Sequence, residues 1–213
     1  MKSFDFTGKK VLIRVDFNVP QDENLAVTDN TRITAAAPTI KKVLAGGGIP
    51  VLMSHLGRPG GERVVKMSLN ALVGEVEKAV GAKVHFAEDC IGQAAESAVS
   101  KAQPGEVVLL ENLRYYKEET SGDADFAKAL SELGDIYLND AFGTAHRAHA
   151  STAIIAQYFS PENKGFGDLM NAEVESISKA LGSNRHSTVA IVGGAKVSSK
   201  IGVISNMINN VGT

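Results

Sequence analysis

The chain has 213 residues, 44% of them hydrophobic, and 22 Lys+Arg against 24 Asp+Glu give a formal net charge of −2. That length is long for one small domain and short for two; the apolar content excludes disorder, and the near-neutral balance excludes a general nucleic-acid or anionic-membrane surface. No apolar run reaches the ~18 residues of a membrane span, no secretory pattern opens the chain, and the single cysteine, Cys90, can form no internal disulfide, so a reducing cytoplasm is the expected compartment.

Short apolar runs alternate with helix-compatible segments along the chain. VLIRV at 11–15 reads as a buried strand. A helix follows at 33–45, with Pro38 either kinking it or marking its first turn, and Gly46-Gly47-Gly48 stopping it. The next strand is 49–54. Residues 68–80 read as a helix that puts Leu69, Leu72, Val73, Val76 and Val80 on one face, with Gly81 as its stop. A short strand at 82–86, a helix at 91–102, a strand at 106–110, a helix at 123–133 and a strand at 136–138 continue the alternation. This order implies an α/β fold, a mostly parallel three-layer, Rossmann-like sheet covered by helices on both faces. Residues 160–167 read as a turn-rich stretch. A helix at 169–182, a buried strand at 189–192 running into Gly193-Gly194 and a helix at 197–210 then suggest the opening of a second α/β domain that is cut off. The expected organisation is therefore a first domain over 1–168, a connector over 169–186, and the first strand and helix of a second domain over 187–213.

Open parallel sheets bind ligands at the carboxyl ends of their strands. Asp16 and Asn18 follow the first strand, and His55 and Arg58 follow the second. Glu111, Asn112 and Arg114 follow the strand at 106–110, and Asn139, Asp140, His146, Arg147 and His149 follow the strand at 136–138. Arg32 joins them from the segment ahead of the first helix. A guanidinium presents a planar fork to phosphate or carboxylate oxygens. One arginine after a strand is usually a solvated charge; four on one rim, beside Asp16, Asn18 and His55, suit a small, doubly anionic ligand that also carries a hydroxyl. His146 and His149, three apart, have no third ligand and read as hydrogen-bonding residues rather than a metal pair. Cys90 has no base beside it and reads as a small buried residue. A second anion site is expected at Gly193-Gly194-Ala195-Lys196, where a glycine turn opens a helix, with Lys196 and Lys200 four apart. It matches neither of the common phosphate-loop patterns.

Five segments in the right order, VLIRVDFNVP (11–20), SHLGRP (54–59), ENLR (111–114), NDAFGTAHRAHAS (139–151) and GGAKVSSKI (193–201), resemble phosphoglycerate kinase. The resemblance implies phosphoryl transfer between 1,3-bisphosphoglycerate and ADP, giving 3-phosphoglycerate and ATP in glycolysis, by two α/β domains closing on a hinge. It makes the first domain the triose side. Asp16 and Asn18 would hold the triose and its hydroxyl, Arg32 the carboxylate end that becomes the acyl phosphate, and His55, Arg58, Arg114 and Arg147 the 3-phosphate. Arg32 and Lys196 would be the catalytic pair, Lys196 stabilising the phosphoryl group in flight. Gly193, Gly194, Lys196 and Lys200 would meet the nucleotide phosphates. Mg²⁺ would arrive on the nucleotide, with its ligands in the part of the family that this chain lacks, so the chain by itself is expected to bind triose without turnover. A cytoplasmic monomer with no nucleic-acid or membrane partner is implied. One departure is Ser199, where the family often has Asp. The competing readings are a stand-alone phosphometabolite-binding domain and a dinucleotide-dependent oxidoreductase; the latter lacks its glycine fingerprint after the first strand.

Overall fold

The structure, a computed structural model, describes residues 3–181, 191 and 201–208. The chain divides into two compact units, Met1–Met170 and Asn171–Thr213. The first unit is built on strands β1 (Lys10–Arg14), β2 (Ile49–Met53), β3 (Val84–Ala87), β4 (Val107–Leu110), β5 (Ile136–Asn139) and β6 (Lys164–Phe166). All pair in parallel, in the order β3-β4-β2-β1-β5-β6. Helices α1 (Thr31–Ala45), α2 (Val73–Val80), α3 (Gly92–Lys101), α4 (Lys117–Ser121) and α5 (Ala124–Ser131) connect them, and α6 (Asp168–Leu181) follows β6.

Residue alternation along β1 shows how the sheet separates two cores. Val11, Ile13 and Val15 enter one apolar cluster with Ile33, Ile40 and Val43 of α1 and with Leu72 and Val76. Leu12 enters the other, with Val51, Met53, Val108, Leu110, Phe126, Leu130 and Tyr137. Strand residues two apart share a face, so Arg14 follows Leu12 onto that second side, where it is fully buried. Both faces are covered, as a parallel sheet requires, and the expected three-layer α/β class is the one observed.

Local chemistry explains most boundaries. Pro38 lies inside α1 rather than at its start; it is exposed, and the helix runs on past it. Gly47, at φ 75°, turns the chain out of α1. Gly48 allows close packing, since a Cβ there would sit 2.9 Å from Val43 Cγ1. The Asp123 carboxylate accepts from the Phe126 N–H at 2.8 Å, capping α5.

Three expectations need correction. The helix expected at 68–80 begins as a 3₁₀ turn, Leu69–Leu72, and becomes α-helical only at Val73. The stretch at 160–167 is not all turn: Lys164–Phe166 forms β6 at the sheet edge, paired with Tyr137–Asn139. Three residues are too short to show a period of two, and Gly165 hides the strand while making it possible, because a Cβ there would come within 2.9 Å of Phe4 Cζ. Helix α4 is also additional, a five-residue element between ENLR and α5. In the second unit, α7 spans Ile201–Ile208. The strand expected at 189–192 and Gly193, Gly194, Lys196, Ser199 and Lys200 lie outside the described residues, apart from Ile191.

Candidate anion-binding cleft

The carboxyl ends of β1, β2, β4 and β5 share one rim. A cleft of about 290 Å³ there is lined by Asp16, Asn18, Arg32, His55, Gly57, Arg58, Arg114, Gly143, Thr144 and Arg147. All seven of the triose-side residues expected from the sequence are brought together. A larger hollow of about 440 Å³ shares Arg58, Arg114 and Arg147 and adds Gly60, Gly61, Lys117 and His149. Sequence reasoning missed Gly57, Gly143, Thr144 and Lys117. The glycines carried a readable hint, since each sits inside a quoted segment where a loop must turn beside charged groups.

The first strand's exit is held by its own polar groups. The Phe17 N–H donates to Ser54 Oγ at 2.8 Å, tying the ends of β1 and β2 together. The Asn18 N–H donates to Asp16 Oδ1 at 3.2 Å, and Asn18 Oδ1 accepts from the Gly57 N–H at 2.8 Å. Gly57 has φ 66°, a conformation that disfavours any side chain; a Cβ there would also meet Met67 Sδ at 2.8 Å. Asp16 Oδ2 accepts from Arg32 Nη1 at 2.5 Å. The one carboxylate lining the cleft is therefore already engaged by one of its cations. Across from it, a Cβ on Gly143 would approach Asp16 Oδ2 to 3.2 Å, so glycine keeps that wall thin.

ENLR divides its labour. Glu111 accepts from Ser68 Oγ at 2.6 Å, from the Leu69 N–H at 2.9 Å and from the Asn112 N–H at 2.7 Å. Asn112 is fully buried; its Nδ2 donates to the Leu56 and Met67 carbonyls, each at 2.8 Å, and its Oδ1 accepts from the Arg114 N–H at 3.0 Å. These two are brackets for the loop after β2, not cleft groups. Arg114 is the cleft-side member. Its Nη1 donates to the Gly57 carbonyl at 3.1 Å, and burial with Arg14 and Arg147 nearby pulls its pKa below the usual arginine value. Asp140 likewise leaves the rim: its Oδ1 accepts from the Met170 N–H at 3.0 Å at the start of α6. Burial raises its pKa.

The loop after β5 stands on a buried polar layer. Arg14 Nε donates to Ser151 Oγ at 2.9 Å, and Ser151 donates in turn to Glu119 Oε1 at 2.6 Å. The Ser151 N–H reaches Glu119 Oε2 at 3.0 Å. Arg14, Glu119 and Ser151 are all 0% exposed, so each charge must find its partner within the protein. Gly122, at φ 71°, lets α4 approach this loop, where a Cβ would lie 2.5 Å from the Ala148 carbonyl oxygen. The exposed Arg147 thus rides on a loop pinned from below. His146 Nε2 accepts from Arg147 Nε at 3.2 Å. His149 is buried with Nδ1 3.8 Å from Glu119 Oε1, and burial pulls its pKa down. His55 is pushed further, to about 2, by burial first and then by Arg14, Arg114 and Arg32. Near neutral pH the cleft therefore presents a neutral imidazole among four guanidinium groups. Cys90 is fully buried and its thiol pKa is raised by burial, which makes it inert.

Among the described residues, no three His, Cys, Asp or Glu side chains converge to hold a metal. The arginine-lined cleft does not fit a cation either. No helix among the described residues is long and apolar enough to cross a membrane.

The geometry can be set beside known proteins. The sequence model of the phosphoglycerate kinase family matches residues 1–213. The chain is 50% identical over 211 residues to phosphoglycerate kinase of Ruegeria pomeroyi, covering 99% of this chain and 52% of the relative. It is 49% identical over 211 residues to cytosolic phosphoglycerate kinase of Nicotiana tabacum, covering 99% and 52%. Phosphoglycerate kinase of Coxiella burnetii superposes with a TM-score of 0.83 at 35% identity, covering 98% of this chain and 51% of that one. The chain thus spans about half the length of the curated relatives it matches. A parallel sheet with its cations gathered at the strand ends, and a family match over every residue, lead to one conclusion: the chain belongs to the phosphoglycerate kinase family.

Proposed function

We propose that this chain supplies the triose side of phosphoryl transfer between 1,3-bisphosphoglycerate and ADP, yielding 3-phosphoglycerate and ATP. The observation that carries the reading is the cleft itself: Arg32, Arg58, Arg114, Arg147 and a neutral His55 around one small space whose single carboxylate is already paired. Arg58, Arg114 and Arg147 grip the 3-phosphate with His55 as a neutral donor. Asp16 and the free amide of Asn18 take the hydroxyl, and Arg32, held by Asp16, faces the carboxyl end. Phosphoryl transfer asks the protein mainly for positioning and positive charge, and this cleft supplies both.

Arg32 and Lys196 are the catalytic residues of this proposal, and Gly193, Gly194, Lys196 and Lys200 its nucleotide-phosphate contacts. Mg²⁺ belongs to the nucleotide in this reading, and domain closure brings nucleotide and triose together. A cytoplasmic monomer is part of the same proposal; the Nicotiana relative is named cytosolic.

Calorimetric titration of the chain with 3-phosphoglycerate is the test. Saturable binding that weakens as salt rises is expected, because the contacts are ionic. Absence of heat at millimolar ligand, or equal affinity for a monoanion lacking the phosphate, overturns the triose assignment.

A further inference from the structure

Beneath the cleft, one hydrogen-bond chain has its polarity forced at every link. It starts at Glu119, which when ionised only accepts. Ser151 Oγ lies 2.6 Å from Glu119 Oε1, so its single proton goes to the carboxylate. The serine's remaining lone pairs must then serve Arg14 Nε at 2.9 Å, which suits a guanidinium that only donates. Arg14 Nη1 donates to the Val15 carbonyl. Arg14 Nη2 lies 3.2 Å from His55 Nδ1. A donor-only group at that position requires a lone pair on Nδ1, and a neutral imidazole with a bare Nδ1 carries its proton on Nε2.

We infer that Arg14 is a positioning residue that sets the tautomer of His55, so that the cleft meets a neutral Nε2–H donor rather than an imidazolium or a lone pair. Arg14 is buried on the β1 face shared with Leu12, and His55 stands at the end of β2 in the cleft wall. Adjacent parallel strands place the two side by side: Arg14 pairs with Met53, two residues before His55. The charged and titratable groups around the ring agree. From α1 comes Arg32, from the end of β4 Arg114, from the loop after β5 His149, and from β1 Arg14 itself; all oppose a charge on His55, as does burial. Asp16, the acid in the same cleft, is spent on Arg32.

The consequence is chemical. An Nε2–H donor binds a phosphate or carboxylate oxygen whatever the pH between about 5 and 8, where an ordinary histidine would switch charge. The lone-pair tautomer would instead repel the same oxygen. This deepens the proposed triose reading and rests on it for the identity of the anion, but the tautomer belongs to the free protein.

The experiment is long-range ¹H–¹⁵N correlation NMR on the chain labelled with ¹⁵N-histidine, His55 being assigned by loss of its signals in His55→Gln. Nδ1 is expected at the unprotonated shift and Nε2 at the protonated one, with neither moving between about pH 5 and pH 8. A proton on Nδ1, protonation of both nitrogens, or a titration inside that range overturns the inference. Arg14→Met is expected to give a mixture of tautomers and a titrating ring; if its spectrum matches the wild type, Arg14 is not the cause. Should that variant not fold, Arg14→Lys decides, because lysine also only donates and must preserve the Nε2–H form; a proton on Nδ1 there overturns the inference too. Failure of the triose reading is a separate result, seen by calorimetry with 3-phosphoglycerate while the free-protein spectrum keeps its expected form.

Discussion

The rim of the cleft and the layer beneath it carry the same residue type to opposite ends. Arg58 and Arg147 on the rim are exposed and make no ion pair with the described residues, whereas Arg14 below is 0% exposed and each of its three side-chain nitrogens has an acceptor. A guanidinium in water costs the fold nothing and remains available to a ligand. A guanidinium out of water is tolerated only when fully partnered, and it is then no longer available. Exposure, not residue identity, therefore separates the arginines that can bind from the arginine that holds.

That contrast can be broken first from below. Glu119→Ala strands the Arg14 charge and both Ser151 donors, and removing one partner of a buried charged network costs on the order of 3–5 kcal/mol. Urea denaturation should show that loss as a fall in midpoint at constant slope. A loss under about 1 kcal/mol would mean that the layer is far wetter than its burial implies.

The rim should give the opposite pattern. Arg58→Ala and Arg147→Ala are each expected to weaken 3-phosphoglycerate binding by about 1.5–3 kcal/mol, the range for hydrogen bonds to charged groups. Folding stability should stay within about 0.5 kcal/mol of wild type. Calorimetry and denaturation on the same samples separate the two; variants that lose stability and binding together would erase the distinction.

His55 sits at the seam, and pH sharpens its place. Its folded pKa is depressed from 6.5 to about 2. Below pH 6.5 the unfolded chain takes up a proton that the folded chain refuses, so stability falls as pH drops through that window. The slope from this one group is at most about 1.4 kcal/mol per pH unit. Denaturation of wild type and His55→Gln at several pH values gives the difference; parallel curves would mean that His55 takes up its proton equally in the folded and unfolded chain.

The smallest effect is expected at Lys41, an exposed cation on α1 away from the cleft. Lys41→Ala should change triose affinity and stability by less than about 0.5 kcal/mol. A loss matching that of Arg58 would reveal a diffuse field instead of a site. Lys164 is a poorer control than its turn-like context implies, because it belongs to β6 and its Nζ donates to the Ala156 carbonyl at 2.6 Å.

Among the described residues, five of the six strands were legible because each is a mostly apolar run bounded by glycine, polar or charged residues. The exception, β6, has only Phe166 to announce it and is recognisable from its pairing with β5. Asp16, Asn18, His55, Arg58, Arg114 and Arg147 could be gathered in advance because parallel strands deliver their following residues to one edge; Arg32 joined them from the head of the first helix instead. Arg14, Glu119 and Ser151 could not. Arg14 reads as one residue within the buried run VLIRV, Glu119 as one of several charges in YYKEET, and Ser151 as the tail of a motif.

By itself the sequence determined the alternation of elements, the class of sheet that follows, and which polar residues stand at the strand ends, all of which depend on local periodicity and chain direction. Only the tertiary structure decided which of those residues face the cleft and which are brackets. Asp140 turned to the α6 start, Asn112 to the loop after β2 and Arg14 to Ser151 because burial and partner distance are set by chain segments as far as 137 residues apart. No window of neighbouring residues contains that information.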